Sequence, residues 1–263
     1  MNSMILSVQR LGERGISAVW RAGAMARFFY QILAASGTCI RRPSLVIREI
    51  YFSGVMSLVI IMVSGLFVGM VLGLQGYETL QKYGAEETMG VLVALSLVRE
   101  LGPVVTGLLF ASRAGSAITA GIGLMKATEQ LKAMDMMAID PVARVVAPRF
   151  WAAALSLPLL AAMFSAMGIF GGYIVAVAFV GTDPGVFWSN MQAAVEFRGD
   201  VLGGIIKSIA FGFAVAIIAT FEGFDATPTA EGVSRATTRT VVTSALTILS
   251  IDLVLTAFMI RGI

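Results

Sequence analysis

Histidine is missing from all 263 residues of this chain, and cysteine occurs once, as Cys39. These absences exclude an internal disulfide framework and leave a Cys/His metal site without ligands, so no metal-binding residue is assigned. The G-x-x-x-x-G-K-[ST] pattern that cradles nucleotide phosphates is absent too. Without histidine, and with few carboxylates in the apolar runs, there is little material for a proton relay and no Ser/His or Cys/His pair for covalent chemistry. No catalytic residue is expected, and any energy the chain uses has to come from a partner. Charge is scarce: Asp, Glu, Lys and Arg make up 13% of the residues, against about 25% in an ordinary soluble domain. The net charge of +3 is too small to suggest nucleic acid. Apolar residues dominate instead, at 57%, with a mean hydropathy of +0.87.

Five apolar stretches are long enough to cross a bilayer core, which takes about 20 helical residues. They cover residues 53–76, 89 to past 111, 150–180, 201–221 and 241–260. The second is interrupted by Arg99, Glu100 and Pro103, the fourth by Lys207 and the fifth by Asp252. The expected fold is all-α: a polytopic membrane bundle of five transmembrane helices, with residues 1–50 as an N-terminal region and 51–263 as the five-span domain. Seven arginines precede the first span, and no cleavage-site pattern follows a short apolar core, so this segment is expected to be retained. Lys and Arg in alternate connections number thirteen on one side and three on the other. The excess marks the cytoplasmic side, which puts the N-terminus inside and the C-terminus outside.

Within residues 1–30, Arg10, Arg14, Ser17 and Arg21 form one stripe, with Ile5, Val8, Ile16 and Val19 roughly opposite. A basic amphipathic helix of this kind lies at a lipid headgroup boundary; packing on the chain's own cytoplasmic end is the other reading. Small residues recur every four positions, at Gly65, Gly69 and Gly73, at Ala111, Gly115, Thr119 and Gly123, and at Gly168 and Gly172. Such spacing lets helix backbones approach closely in lipid, where no hydrophobic drive brings helices together. Charged groups inside spans face the protein interior or a wet cavity. At about 1.5 Å per residue, Arg99 lies about 17 Å and Asp252 about 13 Å below the outer ends of their spans. Similar depths suggest an Arg99–Asp252 pair, either structural or beside a substrate path. Residues 128–137 lack Gly and Pro and read as a short helix, with Glu129, Lys132 and Asp135 spaced three apart and Leu131, Met134 and Ala138 on another face. Asp140-Pro141 then reads as an N-cap followed by proline at the first helical position. A half-apolar helix of this sort suits docking into a groove on a soluble partner, or it is a plain crossover.

The segment RELGPVVTGLLFASRAGSAITAGIGLMKATEQLKAMDMMAIDPVARVVAP within residues 97–148, with SGLFVGMVLGLQGY at 64–77 and GFDATPTAEGVSRATTRTVV at 223–242, resembles the Mla/Mce-type ABC permeases of bacterial lipid-asymmetry systems. The resemblance covers most of the chain from about residue 50 onward. It implies a homodimer, each subunit having an N-terminal interfacial helix and five spans, in the inner membrane of a Gram-negative bacterium. It makes the segment at about 126–138 a coupling helix, with Thr128, Glu129, Leu131, Lys132, Met134 and Asp135 facing a cytoplasmic ATPase subunit that binds the ATP and Mg. Further implied partners are a cytoplasmic STAS-domain protein and a periplasmic hexameric ring of MCE domains, with phospholipid as the substrate moved between inner and outer membranes. Residues matching the family's lipid cavity are Leu72, Leu80, Tyr83, Arg99 and Glu100. One departure is Gly121, where the family usually has Glu. A stand-alone secondary transporter would show activity without ATP and internal repeats, and none is evident; a non-transporting scaffold would tolerate changes in the cavity.

Overall fold

The structure is a computed structural model that describes residues 2–260, with side chains from Ile16 onward apart from Ser17, Ala18, Ile40 and Ile260. The described residues are almost entirely helical, joined by short turns and connections, and none forms a strand. In chain order the helices are α1 (Asn2–Ala35), α2 (Gly37–Arg41), α3 (Pro43–Gln81), α4 (Glu86–Ala127), α5 (Gln130–Met136), α6 (Val142–Val180), α7 (Pro184–Ala194), α8 (Phe197–Asp225) and α9 (Ala230–Ile260). Five of them, α3, α4, α6, α8 and α9, are long and apolar enough to cross a membrane, in agreement with the five expected spans. All extend beyond the expected limits. At about 1.5 Å per residue, the 42-residue α4 reaches roughly 63 Å, twice the thickness of a hydrocarbon core, so its end projects into water.

Local chemistry explains the helix boundaries. Asp183 caps α7 by accepting from the Gly185 and Val186 amides at 2.7 and 3.1 Å, with Pro184 behind it. The same Asp-Pro signal holds at Asp140, which accepts from the Val142 amide at 2.9 Å. Thr229 caps α9 through the Gly232 amide at 3.0 Å. Helix α7 is not among the expected elements: its eleven residues are too short for a span and sit between two long apolar runs.

Helix α6 is the centre of the bundle and packs most extensively on α3 and α8. The α3–α6 contact rests on the small-residue spacing: a Cβ on Gly69 would fall 1.8 Å from the Gly168 carbonyl oxygen, a distance no side chain can occupy. Aromatic residues fill the basic end, where Phe150 lies edge-on to Phe29, Trp151 and Phe213. Polar contacts join the helices deeper in. The Thr119 hydroxyl of α4 meets the Ala219 carbonyl of α8 at 2.9 Å and the Thr240 hydroxyl of α9 at 2.8 Å. In lipid such bonds between helices add attraction that apolar contact alone does not supply.

The C-terminal half of α1 packs onto the bundle. Phe28 and Ile32 are buried, Phe28 lies edge-on to Phe221 and tilted against Phe224, and Arg21 reaches Glu222 on α8. Ile16, Val19 and Trp20 stay more than 70% exposed on the same helix, so an apolar face remains available to a bilayer surface. The stripe members Arg10, Arg14 and Ser17, with Ile5 and Val8, lie outside the described side chains.

Candidate functional site

At the end of the bundle opposite α1 and α5, helices α4, α8 and α9 diverge around a cleft of about 590 Å³. Its position follows from two backbone features. In α4, Pro103 cannot donate to the helix ladder, and the preceding turn, Leu97–Leu101, is a widened π-turn that carries Arg99 and Glu100. Against it lies Gly204 of α8, where an added Cβ would sit 2.2 Å from the Val98 carbonyl oxygen. That close crossing brings Lys207, three residues further along α8, into the space between α4 and α9.

Lys207 is 1% exposed. Its Nζ donates to Glu100 Oε2 at 2.6 Å and to the Thr256 hydroxyl at 2.7 Å, and lies 3.2 Å from Asp252 Oδ1. The Asp252 oxygen makes a charge contact with poor hydrogen-bond alignment. Arg99 donates through Nε to the buried Asp200, whose other oxygen accepts the Glu196 amide at 2.8 Å. The Arg99 side chain is 55% exposed and lines the cleft, and its terminal nitrogens have no partner among the described residues.

The expected Arg99–Asp252 pair is therefore not formed. Arg99 pairs with Asp200 and Asp252 with Lys207, both partners being carried by α8. Equal depth did not imply contact. In the sequence Lys207 reads only as an interruption of the fourth span. Its i to i+7 offset from Asp200 on one helix, beside the adjacent Arg99-Glu100, was the signal available.

Of the five expected cavity residues, the structure brings Arg99 and Glu100 together in the cleft and leaves the other three on α3 and the turn after it. Leu72 is half-buried against the main core, and Leu80 packs on a smaller cluster around Met89, Val175 and Phe187. Tyr83 is 80% exposed.

A second ionic site ties the basic end together. Glu222 is buried, accepts from Arg21 through one oxygen and has Arg239 Nε 3.3 Å from the other. Lys126 donates to the Phe224 carbonyl at 2.6 Å. From here α4 leads into α5. Glu129 and Ala138 bracket this helix with left-handed backbone, φ 58° and 56°, a conformation that costs about 1–2 kcal/mol for a residue with a Cβ. The two kinks turn α5 so that Leu131 is buried and Met134 half-buried against the bundle. Thr128, Glu129, Lys132 and Asp135 stay exposed, with Lys132 and Glu129 3.8 Å apart. Exposed beside them are Met136, Met137 and Ile139, which are not among the expected coupling residues.

Five bilayer-length helices, with an ionic cleft at one end and a short crossover helix at the other, define the architecture of a polytopic membrane protein. The permease MlaE family model matches residues 46–258. Among the relatives is the intermembrane phospholipid transport system permease protein MlaE of Haemophilus influenzae, 52% identical over 255 residues that cover 96% of this chain and 97% of that protein. Probable ABC transporter permease proteins of Rickettsia typhi and Synechocystis are 34% and 35% identical, each over at least 95% of both chains. The chain belongs to the MlaE permease family and is an ABC-type permease.

Proposed function

We propose that this chain is the transmembrane subunit of a complex that moves phospholipid between the inner and outer membranes of a Gram-negative cell, driven by ATP hydrolysis in a separate subunit. The observation that carries the reading is the near-full-length similarity to a relative named for intermembrane phospholipid transport. The cleft chemistry agrees with it. Among the described residues Arg99 donates through Nε alone, and a guanidinium's remaining donors suit phosphate oxygens. Leu72, Leu80 and Tyr83, displaced from Arg99 and Glu100 along α3, act as the apolar side of the same path once a second copy of the chain faces the cleft.

The thirteen-to-three excess of Lys and Arg puts the end bearing α1 and α5 in the cytoplasm and the C-terminus in the periplasm. There the exposed surface of α5 receives the ATPase subunit, which binds the ATP and Mg. A STAS-domain protein joins on the cytoplasmic side, and an MCE-domain hexameric ring receives lipid at the cleft end. The decisive experiment is transfer of labelled phospholipid by the reconstituted complex. Transfer that needs ATP, the ATPase and this chain together supports the reading; ATP-independent transfer by this chain alone rejects it.

A further inference from the structure

A third charged feature lies at the basic end, away from both the outer cleft and α5. Helices α3, α4 and α6 enclose a cleft of about 460 Å³ there, lined by Arg48, Glu49 and Phe52 of α3, by Ile118 and Gly121 of α4, and by Arg149 of α6. Arg149 is four-fifths buried, with a side chain 19% exposed. A guanidinium has five N–H donors and no way to shed its charge. Here they are poorly used. Nε lies 3.6 Å from Glu49 Oε2, beyond hydrogen-bond length, and Nη2 lies 3.9 Å from the Met125 sulfur, a weak acceptor. Nη1 is buried without a hydrogen-bond partner among the described residues. Leaving a charged donor unpaired in a buried site is costly.

The space beside it has a cause in the sequence. Gly121 has no side chain, and a Cβ built there would lie 3.2 Å from Arg149 Nη1. Two arginines against one carboxylate leave the cleft with an excess of positive charge. From Phe52 at its rim, an apolar strip continues along α3 through Met56, Val59 and Val63, all between 47% and 69% exposed. A cationic pocket continuous with a greasy strip matches an ion with acyl chains attached better than a free ion.

We propose that this cleft binds the phosphodiester headgroup of a phospholipid in the leaflet at the basic end of the bundle, with Arg149 Nη1 as the principal donor and Arg48 at the rim. The acyl chains lie along Phe52, Met56 and Val59. The site is separate from the Arg99 cleft and does not depend on the transport reading; it requires only that this end meets a bilayer.

The test is thermal unfolding of the full-length chain in detergent, in an Arg99→Ala background that silences the opposite cleft. Dioleoylphosphatidylglycerol should raise the unfolding temperature, while dioleoylglycerol, which lacks the phosphate, should not. Gly121→Glu places a carboxylate against Arg149. It should raise the lipid-free unfolding temperature and weaken the lipid response about tenfold in half-saturating concentration, the worth of one charged hydrogen bond. Gly121→Gln, of the same size without the charge, should keep most of the response. Arg149→Gln should lose it, which covers the case of a Gly121→Glu chain that does not fold. Equal stabilisation by dioleoylglycerol, or an unchanged response in both the Gly121→Glu and Arg149→Gln chains, overturns the site. Inorganic phosphate matching the lipid at equal concentration overturns the lipid as occupant.

Discussion

Lys207 donates to Glu100 across 2.6 Å from a side chain that is 2% exposed, which makes it the junction of α4, α8 and α9. A buried cation held by two carboxylates is stable only while the set is complete; removing one member of a buried pair costs about 3–5 kcal/mol because the rest is left uncompensated.

Lys207→Met is therefore expected to destabilise the chain by about 3 kcal/mol, reduced from the full range because Glu100 is partly solvated. Thermal unfolding in detergent measures this. Adding Asp252→Asn should recover part of the loss. In double-mutant cycles Lys207 and Asp252 should couple by about 0.5–3 kcal/mol, as contacting residues do, and Arg99 and Asp252 should not. A cycle with the opposite ranking contradicts the pairing.

Changing Arg99 tests the path instead of the fold. In Arg99→Gln the buried Asp200 keeps the Glu196 amide, so some stability remains while the free guanidinium donors are gone. ATP-dependent lipid transfer is expected to fall about tenfold, the worth of one charged hydrogen bond, with assembly of the complex unchanged on a sizing column. Transfer at the wild-type rate removes Arg99 from the path.

On α5, the exposed and buried residues should separate cleanly. Lys132→Glu and Met136→Asp alter only exposed side chains and should leave the unfolding temperature within a degree or two while reducing copurification of the ATPase subunit. Leu131→Asp, by contrast, puts a charge into the bundle and should lower the unfolding temperature before docking is even tested. Full ATPase capture by the Lys132→Glu and Met136→Asp chains would dismiss this surface as the docking site.

The helix crossings give a sharper contrast. Gly69→Ala forces a methyl into the backbone of α6, and overpacking of this kind costs about 1–3 kcal/mol or more. At Gly37 an added Cβ meets nothing within 4 Å, so Gly37→Ala should be neutral or slightly stabilising. Expression and thermal unfolding of the two chains in parallel are enough to decide.

Much of this was legible beforehand. The five spans followed from the length of the apolar runs, and the Gly65, Gly69 and Gly168 spacing foretold where backbones would touch. The charge asymmetry marked one end as basic. The Asp140-Pro141 pair signals a helix start in the sequence and caps one in the structure, whereas the identical signal at Asp183-Pro184 is masked by the longer apolar runs on either side. Arg113 also escaped notice: it lies on a second widened turn of α4, Ala111–Gly115, and donates to the Phe52 carbonyl at 3.1 Å and the Ser57 hydroxyl at 2.9 Å. A widened turn leaves no simple pattern in residue spacing.

The sequence by itself determined how many times the chain crosses a membrane, which end is basic and which faces are small, because those properties belong to one helix at a time. Only the tertiary structure decided that Arg99 meets Asp200, that Asp252 meets Lys207, that Leu131 turns inward and that Arg149 lines a cleft beside Gly121. Those outcomes depend on how each helix is rotated and slid against its neighbours. Rotation and offset are set where backbones touch, as at Gly204 and Val98, and that relation between two distant segments is written in neither of them alone.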